Sequence, residues 1–206
     1  KKDVHLRADY ASLALSLSAK RKAASIQLAR AVAKELKELA ISGARFECEF
    51  LRTPQSDGVE IDVIPVAALP RGLETARFLF SANSGEPLKP LVKTASGGEL
   101  SRILLALTSS TIDKRNSSAP VLVLDEVDVG IGGQTGHAVA GRLKALAAHC
   151  QLVVITHLHQ IARLADAHIA VTKTADRSGR AIITVQKLSS KESKKELERM
   201  VALTSE

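Results

Sequence analysis

Val121-Leu122-Val123-Leu124-Asp125-Glu126 is an apolar run that ends abruptly in two acids. Four apolar residues without polar alternation are too few for a helix, and they read as a strand covered on both faces, as in a parallel sheet. A second run of the same kind, Leu152-Val153-Val154-Ile155, comes after an amphipathic stretch from Gln134 to Ala148. Strand, helix and strand in this order predict an α/β fold with a largely parallel sheet flanked by helices. Ligands gather at the carboxyl ends of such strands. The residues just past each run are therefore the first functional candidates.

After the first run come Asp125 and Glu126. Asp125 is suited to hold Mg²⁺ through water, and Glu126 to polarise an attacking water as general base. Adjacent carboxylates need a cation or a shared proton nearby, which favours a working site, although a strand running into a solvated acidic loop has the same sequence. Asp128 and the glycine run Gly130-Ile131-Gly132-Gly133 then form a loop before the next helix. After the second run stands Thr156-His157, where an imidazole can donate to a phosphate or orient water, and where a lone histidine can equally cap or pack. His157 and His159 lack a cysteine or carboxylate partner at metal-ligand spacing.

Upstream, Thr94-Ala95-Ser96-Gly97-Gly98-Glu99-Leu100-Ser101-Arg102 places two glycines before an apolar helix expected from about Glu99 to Asp113. Glycines let a backbone approach a ligand closely, and free N–H groups at a helix start suit a phosphate, with Ser96 adding a hydroxyl. A glycine turn with a serine N-cap reads the same way locally. No Gly-x-x-x-x-Gly-Lys-Ser/Thr string occurs in the 206 residues, so the backbone cradle for a nucleotide's β-phosphate is absent and the chain alone is not expected to bind ATP well.

Residues 1–42 contain a single glycine-free and proline-free helical stretch up to Ile41, with Leu6, Tyr10, Leu13 and Leu17 spaced as a coiled-coil seam. The phase shifts at Leu28, Val32, Leu36 and Leu39, and Ser42-Gly43 ends the helix. We expect an arm over 1–42 and one lobe over 43–206. Strand-like runs at Ala44–Arg52 and Val59–Val66 flank Asp57-Gly58 and predict a hairpin, with a third run at Ala76–Ala82. Strands at Ile169–Thr172 and Ala181–Gln186 and a charged helix from Ser190 to about Leu203 complete the chain.

Composition narrows the class. An apolar share of 45% with 25% charged residues describes a soluble chain, and no run approaches the ~20 apolar residues of a membrane span. Cys48 and Cys150 have no paired spacing, which fits a reducing compartment. A net charge of +7 suggests a polyanion such as DNA as partner. With aromatics at 2%, contacts to phosphates are expected rather than base stacking. Lys20, Arg21 and Lys22 on the arm and Lys187, Lys191, Lys194 and Lys195 near the end are basic clusters that a solvated helix face also explains.

In order, the Ser-Gly-Gly-Glu helix, the apolar strand with Asp-Glu, the glycine loop and the Thr-His strand end resemble the C-terminal lobe of ABC ATPases of the SMC type. Arg77-Phe78-Leu79-Phe80-Ser81-Ala82-Asn83, Asp125-Glu126-Val127-Asp128-Val129-Gly130-Ile131 and Thr156-His157-Leu158-His159-Gln160-Ile161-Ala162 sharpen the resemblance, which runs from about Ala76 to the C-terminus. It implies a head built from both ends of a long polypeptide, with ATP and Mg²⁺ as cofactors. On that reading Asp125 is the Mg²⁺-associated acid, Glu126 the catalytic base and His157 the switch histidine. Ser96, Gly97, Gly98 and Glu99 form the signature that contacts ATP held by a second copy of the head, and Asp128 is the polar residue of the loop after the acids. The implied partners are an N-terminal segment bearing the phosphate loop, a second head and DNA, with no membrane, in the cytoplasm at the nucleoid. The implied role is recombinational repair of double-strand breaks. His159 and Gly132 depart from the family pattern, which often has Pro and Asp there. The alternative is a non-enzymatic module whose helix and basic surface tether DNA.

Overall fold

The computed structural model describes residues 2–93, 97–112, 121–175 and 179–203. The chain falls into two compact units. The first holds nearly all of α1 (Lys2–Glu38), β1 (Arg45–Leu51), β2 (Pro54–Ile61), β3 (Ile64–Val66), β4 (Thr75–Ser81), β5 (Lys89–Pro90) and the later part of α2 (Gly97–Thr111). The second holds the first turns of α2, then β6 (Val121–Leu124), α3 (Gly133–Ala147), β7 (Gln151–Val154), α4 (His159–Ala162), β8 (Ile169–Ala175), β9 (Ala181–Lys187) and α5 (Ser190–Leu203). No described helix is long and apolar enough to cross a membrane.

In the first unit, α1 is one continuous helix, as its lack of glycine and proline dictates, with Asp3 in its first turn and Lys37 in its last, where each complements the dipole. It ends when Ala40 turns to a left-handed φ of 60° and the Ile41 amide donates back to the Leu36 carbonyl at 2.9 Å, a Schellman closure. The expected seam does the packing only in part. Its Leu6 and Leu13 are exposed, whereas its Tyr10, with Ala11 and Ala14, packs on Val59, Ile61, Val66 and Leu73. Small side chains on that face let strands approach the helix closely. The shifted phase of the second half is the buried one, through Val32, Leu36 and Leu39. On both sides of residue 42, then, the chain contributes to one core, which α1 shares with β2 and β3.

The hairpin expected between residues 44–52 and 59–66 is replaced by two other pairings. β1 lies antiparallel to β4, with Phe46 opposite Phe80 and Cys48 opposite Phe78. The Phe46 and Phe78 rings sit 5.2 Å apart. Aromatic cross-strand pairs favour this register, and β5 joins the far side of β4. The run 59–66 folds on itself instead as β2 and β3, turning at Asp62 and Val63 with φ of 52° and 69°. Asp57-Gly58 is not the turn. It lies inside β2, beside a register shift between Pro54 and Val59, and a Cβ on Gly58 would collide with the Val66 carbonyl.

In the second unit β6 and β7 run parallel, Val121 opposite Gln151 through Leu124 opposite Val154, and the Ile155 amide extends the ladder to the Leu124 carbonyl at 2.9 Å. α3 lies against β7 and buries Val139, Ala140, Leu143 and Leu146. The class is α/β as expected, but parallel pairing among the described residues is confined to these two strands, and β8 with β9 is antiparallel. Nor are the apolar runs covered on both faces. Leu124 is buried while Val121, Val123, Val153 and Ile155 are exposed, so among the described residues one face of the pair has a layer and the other does not. Cys48 and Cys150 are unpaired, and burial raises the pKa of both thiols.

Candidate functional site

The parallel register brings the ends of β6 and β7 side by side, so the residues just past Leu124 and Val154 share one edge. Asp125 and Glu126 emerge there with exposed side chains, and the Glu126 amide donates to Asp125 Oδ1 at 2.9 Å. Glu126 has φ of 57°, a left-handed conformation that costs a non-glycine residue roughly 1–3 kcal/mol and persists only where its surroundings hold it. The hold is visible. The Val129 amide donates to the Glu126 carbonyl at 3.2 Å, closing a tight turn. Ser101 Oγ donates to the Asp125 carbonyl at 2.7 Å, and the Arg102 guanidinium donates to the Val129 carbonyl at 3.1 Å. The first turns of α2 thus grip both ends of the acidic loop.

The two glycines opening α2 explain how it comes so close. A Cβ on Gly97 would strike the Glu126 carboxylate, and one on Gly98 would lie 2.8 Å from the Val129 carbonyl oxygen. Gly98 demands glycine for space because the obstacle is backbone, whereas at Gly97 the exposed Glu126 side chain would have to swing aside. Glu99, half-buried in the first turn of α2, lies beside Arg102 and pushes the guanidinium pKa up, but the larger effect is burial, which lowers it. Ser96 lies outside the described residues.

Asp128 behaves unlike its two acidic neighbours. It is 2% exposed, and its Oδ2 accepts from Thr156 Oγ1 at 2.5 Å, the His157 amide at 2.9 Å and the Leu158 amide at 3.3 Å. His157 Nδ1 lies 3.1 Å from the same oxygen. The His157 side chain is otherwise largely open to solvent, at 66% exposure. Asp125, Glu126, Asp128 and His157 are therefore brought together at one strand edge, with Gly97, Gly98 and Glu99 on the helix above the loop. His159 begins α4, and Gly132 precedes α3 without a side chain to cap it. Ser101, Arg102 and Thr156 carry structural duties that the sequence does not announce. The only signal for them is their position inside the Ser-Gly-Gly-Glu-Leu-Ser-Arg and Thr-His strings.

Among the described residues no group of three or more histidine, cysteine or acidic side chains could hold a metal by itself. Magnesium keeps several waters and takes one or two carboxylates plus substrate phosphates, and the exposed strand-end carboxylates of Asp125 and Glu126 are of the kind that could meet it.

A strand-end acidic pair, a histidine and a glycine-led helix sit on an α/β scaffold with the fold of an SMC head lobe. The fold agrees with a solved Smc head domain with a coiled coil and joint derived from Pyrococcus yayanosii, at a TM-score of 0.56 and 21% identity, covering 87% of this chain and 30% of that one. No family model matches. Two curated proteins named DNA repair protein RecN are similar over nearly the whole chain. The one from Bacillus subtilis (strain 168) is 36% identical across 94% of this chain and 34% of its own length. That from Streptomyces coelicolor is 39% identical across 96% of this chain and 34% of its own. The chain is similar to RecN proteins along nearly its whole length and has the fold of an SMC head, and it spans about a third of the length of the curated relatives it matches.

Proposed function

We propose that the chain supplies one side of an ATP-hydrolysing head acting in DNA repair. Asp125 anchors Mg²⁺ and Glu126 serves as general base. His157 meets the terminal phosphate or its attacking water, and Ser96, Gly97, Gly98 and Glu99 meet the nucleotide of a second head. Bound Mg²⁺-ATP would add the metal's charge stabilisation at the transferring phosphoryl. The residues here orient water, accept its proton at the Glu126 carboxylate and hold the edge in shape. The observation that carries this reading is the left-handed Glu126, kept in a costly conformation by two side chains of α2 at the edge where His157 also lies.

The reading includes partners: a segment bearing a phosphate loop, a second copy of the head, and DNA met through phosphate contacts, in the cytoplasm at the nucleoid. Recombinational repair of double-strand breaks is the process it proposes. The test is to join this chain to a segment bearing the phosphate loop and follow its mass in solution with and without ATP. Dimers that form only with ATP, and that Ser96→Arg prevents, are expected. A species whose mass is indifferent to both ATP and Ser96→Arg would overturn the reading in favour of a tethering module.

A further inference from the structure

Asp128 sits between two strand ends without facing solvent, and a single oxygen of it gathers four polar groups of Thr156, His157 and Leu158 just past β7. Three of those groups, the Thr156 hydroxyl and the His157 and Leu158 amides, fix the backbone that carries the imidazole. The fourth partner is the ring itself, with Nδ1 at 3.1 Å. The Thr156 hydroxyl also accepts from the Leu158 amide at 3.0 Å, so the strand end is cross-braced and the ring has a fixed root.

We infer that Asp128 is the positioning residue of His157, setting its tautomer and orientation so that the imidazole acts through Nε2. A carboxylate is acceptor-only, so a neutral ring facing it must carry its hydrogen on Nδ1. Nε2 then keeps its lone pair and accepts a hydrogen bond, for instance from a water aligned on the phosphate. One buried carboxylate thereby gives His157 a defined role at one atom, as outer partners do for ligating and catalytic histidines in general. This rests on the ATPase reading for its purpose but not for its geometry.

The experiment is nitrogen NMR of the histidine rings in this chain, at a pH where they are neutral. His157 is expected to carry its hydrogen on Nδ1, against the preference of a free imidazole for Nε2. Asp128→Ala removes the acceptor and is expected to return His157 to the Nε2–H tautomer. Asp128→Asn keeps an acceptor oxygen that faces both the two amides and Nδ1, and it is expected to preserve the Nδ1–H tautomer. Thr156→Val removes a bond to the same oxygen without touching the ring and is expected to leave the tautomer unchanged. An Nε2–H tautomer in the unaltered chain, or an Nδ1–H tautomer that persists in Asp128→Ala, overturns the inference. Absence of ATP turnover in a completed head would sink the proposed function and leave the tautomer result standing.

Discussion

Glu74 and Asp128 are both carboxylates withdrawn from water, one in each compact unit, and they are satisfied in opposite ways. Glu74 works with charge. Its Oε1 accepts from Ser18 Oγ on α1 at 2.8 Å and from Arg52 Nε at 3.3 Å, with Lys22 at 3.9 Å, while Oε2 is buried with no partner among the described residues. Asp128 works mainly with dipoles, accepting from a hydroxyl and two amides of one short segment. A cation beside a carboxylate gains Coulomb energy but leaves much of the desolvation cost standing. Amides held by the fold are already oriented, so they solvate the charge without further ordering. The first arrangement ties α1 to the segment before β4. The second builds a rigid edge for a histidine.

The largest expected effect comes from removing the dipole-solvated acid. Asp128→Ala leaves the His157 amide and the Thr156 hydroxyl without this acceptor at about 1–3 kcal/mol each, and exchange of the His157 amide is expected to accelerate at least ~10²-fold. Glu74→Met removes the buried carboxylate of the other unit with a smaller result. It removes the orphaned Oε2, and the Arg52 and Lys22 side chains left behind are 28% and 56% exposed and can turn to water, so a cost of about 1–2 kcal/mol is expected by urea unfolding. If Glu74→Met proves the more damaging of the two, the contrast between charge and dipoles is wrong. Between them in kind lies Arg102→Ala, which frees the Val129 end of the acidic loop. It should cost about 1–2 kcal/mol and raise exchange at the Val129 amide, which donates to Glu126.

The smallest effect belongs to an exposed carboxylate, the limiting case of the comparison. Glu192 accepts from the Ser189 amide at 2.8 Å and its hydroxyl at 2.6 Å, a capping box at the start of α5, and these bonds hold its pKa below the ordinary value. Because the folded value is depressed, the contribution is complete above the unfolded carboxylate pKa. It is lost as pH falls through the lower folded one. Amides in the first turn of α5 should therefore lose protection in acid, and Glu192→Gln should remove that pH dependence.

Elements that rest on local pattern were legible in the sequence. The two apolar runs are β6 and β7, the amphipathic stretch between them is α3, and the charged helix near the end is α5. The pairings that depend on distant partners were not. β1 prefers β4 over its neighbour in sequence because of aromatic partners far along the chain, and the turn at Asp62-Val63 has no turn signature since valine rarely takes a left-handed φ. In the site, Asp125, Glu126 and His157 were readable from their places after apolar strands. The burial of Asp128 was not, because an acid before a glycine run suggests a solvated loop. Its partners appear only once the parallel register sets Thr156 to Leu158 beside it.

The most direct test of the whole account is ATP turnover by a completed head carrying Glu126→Gln. Loss of a positioned general base predicts a fall of ~10²–10⁴-fold with nucleotide binding retained. Turnover equal to that of the unaltered head would contradict it.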